Sequence, residues 1–171
     1  RSYKSGDHTA FTTSGLVADA RQLVGRARVQ CQVNRMTYGA PVPVTTLVKK
    51  MCDYMQSFTQ YGGARPFGTA LLIAGVDGEG VHLFETDPSG AYQSYHAGAI
   101  GRGRSAVIDY FEANWKPKMT QNAAIKLGLE ALCDSIDEDL NKDAVEIAVL
   151  NSSGYIKMSR EETLKQIDRI S

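Results

Sequence analysis

The order of helices and strands read from the sequence predicts an α+β fold. Residues 68–96 contain three strand-like segments separated by turn signals, which predicts a meander of three antiparallel strands. Helical periodicity of apolar residues is found before residue 61 and after residue 104, and not between these strands. Because helices do not alternate with the strands, the sequence favours layered α+β packing over a doubly wound parallel sheet.

The strands are predicted from composition and from turn residues. Residues 7–13 are rich in threonine, which is typical of a strand. Residues 68–76 form a nearly continuous apolar run, which predicts a strand that is buried on both faces. Two more strands are expected at 81–86 and 92–96, joined by a type I turn at Asp87-Pro88-Ser89-Gly90.

The first helix is expected from residue 16 to about residue 37. Its apolar positions are spaced so that they share one helical face, and they are Leu16, Ala20, Leu23, Ala27 and Cys31. Gly25 lies inside this helix, where it costs roughly 1 kcal/mol relative to alanine. We therefore expect a close packing partner on the side of the helix that carries Gly25.

The later elements are predicted from periodicity and from capping residues. In the second helix, a row of methionines indicates core positions, with a binding groove as the alternative. Thr120 is placed to cap a helix, and Ser159 and Glu162 have the spacing of a capping box. The expected helices are 44–60, 105–115, 120–137 and a last one ending near Ile170, and short strands are expected at 144–150 and 155–158.

Composition limits the classes of function. The 171 residues suit one domain, 1–171, with a sizeable core. Lysine and arginine total 19, as do aspartate and glutamate, so the formal net charge is zero. This balance argues against binding to nucleic acid or to a membrane surface. The sequence carries no apolar run of 18 residues and no signal pattern, so we expect a chain that is neither membrane-spanning nor exported.

Cysteines and histidines do not suggest a metal or cofactor site. Cys31, Cys52 and Cys133 are odd in number and far apart, and we interpret them as buried free thiols, with a reactive or ligating role as the alternative. The three histidines are scattered over predicted strands, where a lone histidine is more often a surface or core residue than a ligand. The sequence therefore predicts no metal and no cofactor.

One glycine-rich segment formally matches a dinucleotide-binding pattern. It runs from Gly101 to Ala106 between a predicted strand and a helix. A dinucleotide site needs the helix to return to a parallel strand, but here Pro117 and another helix follow. We interpret the segment as a tight turn, although a dinucleotide-binding domain remains a third hypothesis.

The chain lacks the local motifs of the common hydrolases. It has no GxSxG elbow, no HExxH helix and no Walker-type loop. An N-terminal nucleophile is the remaining enzymatic option, but residue 1 is arginine, which is neither a nucleophile nor a base. The sequence therefore predicts no catalytic residues unless processing exposes a threonine, serine or cysteine.

Four segments, in this order, resemble the α-type subunits of the proteasome core particle: 13–21, 61–68, 86–92 and 99–103. They read TSGLVADAR, YGGARPFG, TDPSGAY and AIGRG, and the resemblance extends from about residue 1 to about residue 168. It implies a four-layer α/β/β/α sandwich, in which two antiparallel sheets lie between helical layers. It also implies a chain that lacks the family's N-terminal third, together with the gate segment.

The resemblance implies a non-catalytic subunit that builds and gates a protease. Its expected partners are neighbouring α subunits in a seven-membered ring, catalytic β-type subunits, ATPase or other activators, and unfolded protein substrates. The expected location is the cytoplasm, and also the nucleus in a eukaryote. The alternative is a self-processed N-terminal nucleophile peptidase of the same fold.

The resemblance also implies a docking pocket for the C-terminal tail of an activator. Gly15 and Leu16 match the turn that lines this pocket in the family. Counting back from that turn places Arg1 where the family has a lysine that meets the tail carboxylate, and arginine keeps the charge. Arg65 has two possible roles, a salt bridge or a contact at the ring interface.

Overall fold

The computed structural model describes residues 2–6, 8–136 and 140–170. Within those ranges the chain has five α-helices and two separate sheets, which confirms the α+β class. The described residues form two compact units. One contains the residues up to His96 with Leu150–Tyr155, and the other contains those between Ala97 and Val149 and from Ile156 onward. That residues 1–171 are one α-type domain stays a prediction.

The first unit is built on a five-stranded antiparallel sheet. Its strands lie side by side in chain order, and two helices are inserted between the second and third strands. The elements are β1 (Ser2–Gly6), β2 (Thr9–Gly15), α1 (Val17–Tyr38), α2 (Val44–Gln60), β3 (Thr69–Asp77), β4 (Gly80–Thr86) and β5 (Tyr92–Ser94). The predicted three-stranded meander is thus confirmed as β3–β5.

Strand β1 was not predicted from the sequence. Ser2–Gly6 is short and has no alternation of apolar and polar residues. Its extended backbone is paired with β2, with Tyr3 opposite Phe11. Pairing with a neighbouring strand, which local sequence does not reveal, therefore defines this element.

The core of the first unit lies between one face of the sheet and helices α1 and α2. Phe11 from β2 and Ile73 from β3 are buried on this face, opposite each other in register. Met51 and Met55 of α2 are also fully buried, so their interpretation as core residues is confirmed. Burial of such side chains, each worth about 1.5–3 kcal/mol, is the main source of stability here.

Strand β3 is not equally buried on its two faces. Alternate residues beginning at Thr69 are buried, whereas the residues between them are half-buried. The sequence predicted burial on both faces, and the structure shows full burial only on the face that meets the core of α1 and α2. A continuous apolar run therefore did not distinguish one fully covered face from two.

Two expectations for α1 are wrong. Ala20, Leu23 and Ala27 are buried as predicted, but Leu16 precedes the helix and is 53% exposed. Apart from Gly25's own chain neighbours and helical backbone, no atom of the described residues lies within 4 Å of the position that a Cβ on Gly25 would occupy. Gly25 lies on the exposed side of the helix, so it does not mark a packing contact in this chain.

The second unit contains the remaining helices. Thr120 caps α4 by accepting the N–H of Ala123, and Ser159 and Glu162 form the predicted capping box of α5. The described elements after β5 are α3 (Arg104–Asn114), α4 (Gln121–Asp134), a 3-10 helix (Lys142–Ala144), the paired strands β6 (Ala148–Asn151) and β7 (Gly154–Lys157), and α5 (Arg160–Ile167).

Several boundaries differ from those predicted. Strand β6 begins at Ala148 and not at residue 144 as predicted. Ala144 instead ends a 3-10 turn, in which the side chain of Asn141 accepts the N–H of Asp143. Helix α5 ends at Ile167 and not near Ile170. Of the helices in the described ranges, none is long and apolar enough to cross a membrane.

The burial predicted for the cysteines is correct only for Cys52. Cys133 is exposed and Cys31 is half-buried, and all three are free thiols. Helical periodicity placed each cysteine in a helix but did not identify which helical face the rest of the fold covers.

Candidate functional site

The turn from β2 into α1 is shaped by a glycine that no other residue can replace without strain. Gly15 has a φ of +118°, a conformation that side chains disfavour. A Cβ at this position would lie 2.1 Å from the carbonyl oxygen of Gly68, which is backbone and cannot move aside. Gly15 therefore allows β2 to turn tightly against the strand beside it.

Leu16 follows this turn and is held by its backbone. Its N–H donates to the carbonyl oxygen of Gly68 at 2.9 Å, and its own carbonyl accepts the hydroxyl of Thr69 at 3.1 Å. Its side chain is 53% exposed, and that of Val17 is 55% exposed. The turn thus presents apolar side chains to solvent on a fixed backbone.

Asp19, in the first turn of α1, pairs with Arg65. The two terminal nitrogens of the guanidinium donate to the two carboxylate oxygens at 2.7 and 2.9 Å. The same carboxylate accepts the N–H of Gly68 at 2.9 Å. The Asp19 side chain is 8% exposed and that of Arg65 is 64% exposed, so the pair joins a shielded anion to a cation at the surface.

These contacts stabilise the ionised form of Asp19. Hydrogen bonds from Arg65, and next from the Gly68 N–H, outweigh desolvation and lower the pKa of Asp19 to about 2. The same pairing raises the pKa of Arg65. Both groups are therefore charged throughout the neutral pH range.

Aromatic packing fixes the segment that carries Arg65. Phe67 is buried and lies edge-on to Phe58, with ring centroids 4.8 Å apart, and it also contacts Tyr54. A cavity of about 180 Å³ beside the ion pair is lined by Asp19, Gln22, Phe58, Ala64, Arg65 and Phe67. Residues 65–68 are thus anchored on α2 and tied to α1 at the same time.

The amino end of α1 is suited to an anionic group. Amides of the first helical turn lack partners within the helix, and the helix dipole adds partial positive charge. Leu16 occupies the capping position and provides no side-chain hydrogen bond. Asp19 offsets part of the positive potential, but its charge is already compensated by Arg65.

The structure brings together three of the four site residues named from the sequence. Gly15 and Leu16 form the turn, and Arg65 reaches it through Asp19. Arg1 lies outside the described residues. The interpretation of Arg65 as a salt-bridge residue is confirmed, whereas its role at a ring interface stays a prediction.

Sequence reasoning missed Asp19, Gly68 and Thr69 as members of this site. An acidic residue in the first turn of a helix is a general stabilising feature, so Asp19 gave no specific signal. Gly68 and Thr69 contribute through contacts with residues about 50 positions earlier in the chain. Only the register between β2 and β3 brings them to the turn.

Within the described residues, one other cluster has metal-ligand chemistry. Ligand atoms of Asp77, Glu79 and His82 lie within 4.8 Å of one another. The Asp77 carboxylate, however, already accepts the N–H groups of Val44 and Glu79 and lies 2.8 Å from a His82 nitrogen. These contacts explain the cluster as a hydrogen-bonded connection between the β3–β4 hairpin and the start of α2.

The glycine-rich segment after β5 does not form part of a dinucleotide site. Helix α3 follows it, as that pattern requires, but α4 comes next in place of a parallel strand. In the five-stranded sheet, each pair of neighbouring strands is antiparallel. The βαβ unit that holds a dinucleotide is therefore missing from the described part of the chain.

Comparison with known proteins agrees with the arrangement of these motifs. The sequence profile of the family described as "Proteasome subunit" matches residues 1–150. The protein named proteasome subunit alpha from Methanopyrus kandleri is 48% identical over 168 residues, covering 98% of this chain and 68% of its own length.

Two further relatives with the same name are similar over almost the whole chain. The Methanosarcina acetivorans protein is 48% identical over 170 residues, covering 98% of this chain and 69% of its own length. The Methanobrevibacter smithii protein is 49% identical over 170 residues, covering 98% of this chain and 68% of its own length. Identity at this level over nearly the full sequence establishes that this chain belongs to the proteasome subunit family.

Proposed function

We propose that this chain is an α-type, non-catalytic subunit of the proteasome core particle. The observation that carries the proposal is identity of about 48% to three proteins named proteasome subunit alpha, over 98% of the chain. The α+β fold and the motif order agree with it. In this role the subunit forms a seven-membered ring, stacks on catalytic β-type subunits and controls the entry of unfolded protein in the cytoplasm.

Native mass spectrometry combined with a peptidase assay tests this proposal. The full-length protein is measured alone and with a catalytic β-type partner, and a fluorogenic peptide reports hydrolysis. We expect seven-membered rings that are inert alone and that cleave peptide only with the β partner. A monomer that hydrolyses the peptide unaided would contradict the proposal and would favour the self-processed N-terminal nucleophile peptidase.

We further propose that Gly15 and Leu16, together with Arg1, receive the C-terminal tail of an activator. Two features support this role. The turn exposes the apolar side chain of Leu16 on a fixed backbone. The uncapped amino end of α1 next to it favours a carboxylate. Arg1 is proposed to add a charge-assisted contact to the same carboxylate.

Substitutions at the turn test the docking role. We expect Leu16→Ala and Arg1→Ala each to weaken activator-stimulated peptide hydrolysis while the rings remain intact. Lys142→Gln is a matched control, because it removes an exposed cation from an ion pair with Asp168 in the second unit. Stimulation that is unchanged in both turn variants would contradict the docking role without affecting the ring proposal.

A further inference from the structure

We infer that the Asp19–Arg65 ion pair positions Leu16 for docking of a peptide carboxylate. The inference rests on the docking role proposed for the Gly15–Leu16 turn, and it adds to that turn a pair of positioning residues. Neither Asp19 nor Arg65 needs to touch the peptide. Their role is to fix residues 68 and 69, which hold Leu16 in place through hydrogen bonds.

The first step is that the backbone of Leu16 is held from the 68–69 segment. The carbonyl of Gly68 accepts the Leu16 N–H, and the hydroxyl of Thr69 donates to the Leu16 carbonyl. That carbonyl also accepts the N–H of Ala20 within α1. The start of α1 is therefore located by the position of residues 68 and 69.

The second step is that Asp19 holds Gly68 in turn. Its Oδ2 atom accepts the Gly68 N–H at 2.9 Å, so Gly68 is bonded to Asp19 in α1 through its N–H and to the capping residue Leu16 through its carbonyl. Asp19 and Leu16 belong to the same helical end, three residues apart. Together they bind both backbone polar groups of Gly68, Asp19 its N–H and Leu16 its carbonyl.

The third step is that Arg65 fixes the orientation of Asp19. Its bidentate contact uses both carboxylate oxygens, which restricts the side chain of Asp19 to one rotation. The same guanidinium donates to the carbonyl of Pro66 at 3.1 Å, which holds the Arg65 side chain against its own backbone segment. Loss of Arg65 would leave the Asp19 carboxylate with the Gly68 N–H but without the bidentate partner that fixes its rotation.

The fourth step is direct contact between Gly68 and the Leu16 side chain. A Cβ on Gly68 would lie 2.7 Å from Cδ1 of Leu16, so the leucine side chain rests on the bare backbone there. A shift of residue 68 would therefore displace both the backbone and the side chain of Leu16. This contact connects a buried carboxylate to an exposed docking surface.

Peptide binding to the full-length ring tests the inference. The probe is a fluorescein-labelled seven-residue peptide with the C-terminal sequence of an archaeal ATPase activator, and the amidated peptide is the carboxylate control. We expect Asp19→Asn and Arg65→Gln to weaken binding about five- to tenfold, the scale of a typical coupling between sites. Arg65→Lys should restore part of the affinity, because lysine keeps the charge but not the bidentate geometry.

A double-mutant cycle separates positioning from general destabilisation. If Arg65 acts through Leu16, the combination of Arg65→Gln with Leu16→Ala should bind no more weakly than Leu16→Ala alone. Additive losses would contradict the inference. So would an equal loss of affinity in a Ser159→Ala control, which removes a helix cap in the second unit.

Hydrogen exchange provides a readout that needs no ligand. We expect faster exchange of the Leu16 and Gly68 amides in Asp19→Asn than in the parent protein, with α5 amides unchanged. Unchanged exchange at both positions would overturn the positioning role even if the parent ring binds the peptide. If the parent ring does not bind the peptide, or if it binds the amidated peptide as tightly as the peptide with a free carboxylate, the proposed docking function is wrong.

Discussion

Arg65 and Asp19 are 46 positions apart in the sequence, and the Arg65 guanidinium donates hydrogen bonds to both carboxylate oxygens of Asp19. The pair connects the loop before β3 to the first turn of α1, immediately beside the Gly15–Leu16 turn. Because the Asp19 side chain is only 8% exposed, the contact is shielded on the anionic side. A single ion pair therefore links two of the motifs that were noted separately in the sequence.

Acid should destabilise the protein partly through Asp19. The pKa of Asp19 falls from an ordinary value of 3.8 to about 2 on folding, so the unfolded chain binds more protons between those values. The resulting stability is complete only above about pH 5 and is lost progressively as the pH falls through 3.8 toward 2. Urea unfolding at several pH values gives the free energy of unfolding as a function of pH. In this range that free energy should change less steeply with pH for Asp19→Asn than for the parent protein. Equal slopes would contradict the assignment.

Substitution of Gly15 by alanine should be severely destabilising. The residue has a φ of +118°, and a Cβ would meet the Gly68 carbonyl oxygen at 2.1 Å. Backbone strain alone costs about 1–3 kcal/mol, and relief of the clash would separate β2 from β3. Thermal unfolding measures the effect. Gly25→Ala is the matched control, because its Cβ position is open and alanine favours a helix, so this variant should be as stable as the parent or more so.

Removal of the Asp77 side chain should loosen the start of α2. Its carboxylate accepts the Val44 and Glu79 N–H groups and contacts His82. We expect Asp77→Ala to reduce the free energy of unfolding by about 1–3 kcal/mol, because two backbone donors lose their partner. Denaturant unfolding measures the loss. A change below 0.5 kcal/mol, the size typical of surface positions, would show that water replaces the carboxylate.

The stability provided by Asp77 should also depend on pH. Burial raises its pKa, but the hydrogen bonds from Val44, His82 and Glu79 outweigh burial and leave the pKa lowered. The contribution is therefore present above the ordinary pKa of 3.8 and is lost as the pH falls through the lower folded value. The difference in stability between the parent and Asp77→Ala should accordingly shrink in acid.

Cys52 should resist alkylation until the protein unfolds. Burial, with smaller effects from Asp53 and Asp87, raises the pKa of its thiol to about 12. The thiolate is therefore scarce at pH 8. Mass spectrometry after brief iodoacetamide treatment should find Cys133, which is exposed, labelled before Cys52. Labelling of Cys52 in the folded protein at the rate seen in urea would contradict its burial.

Features that depend on neighbouring residues could be predicted from the sequence. Periodicity located α1, α2 and α4, and a capping box indicated α5. The caps at Thr120 and Ser159 were correct because a capping hydrogen bond spans only three residues. The strands of the meander were predicted from an apolar run and from turn residues. Gly15 and Leu16 were recognised because their motif is continuous in the chain.

Features that depend on residues far apart in the sequence are evident only in the folded chain. Strand β1 exists through its pairing with β2, and the exposure of Gly25 and Cys133 depends on which helical faces other elements cover. The Asp19–Arg65 pair required the first turn of α1 and the loop before β3 to be brought together by the register of β2 and β3. Local sequence sets backbone preference, but burial and ion pairing are set by contacts between residues far apart in the chain, which only folding defines.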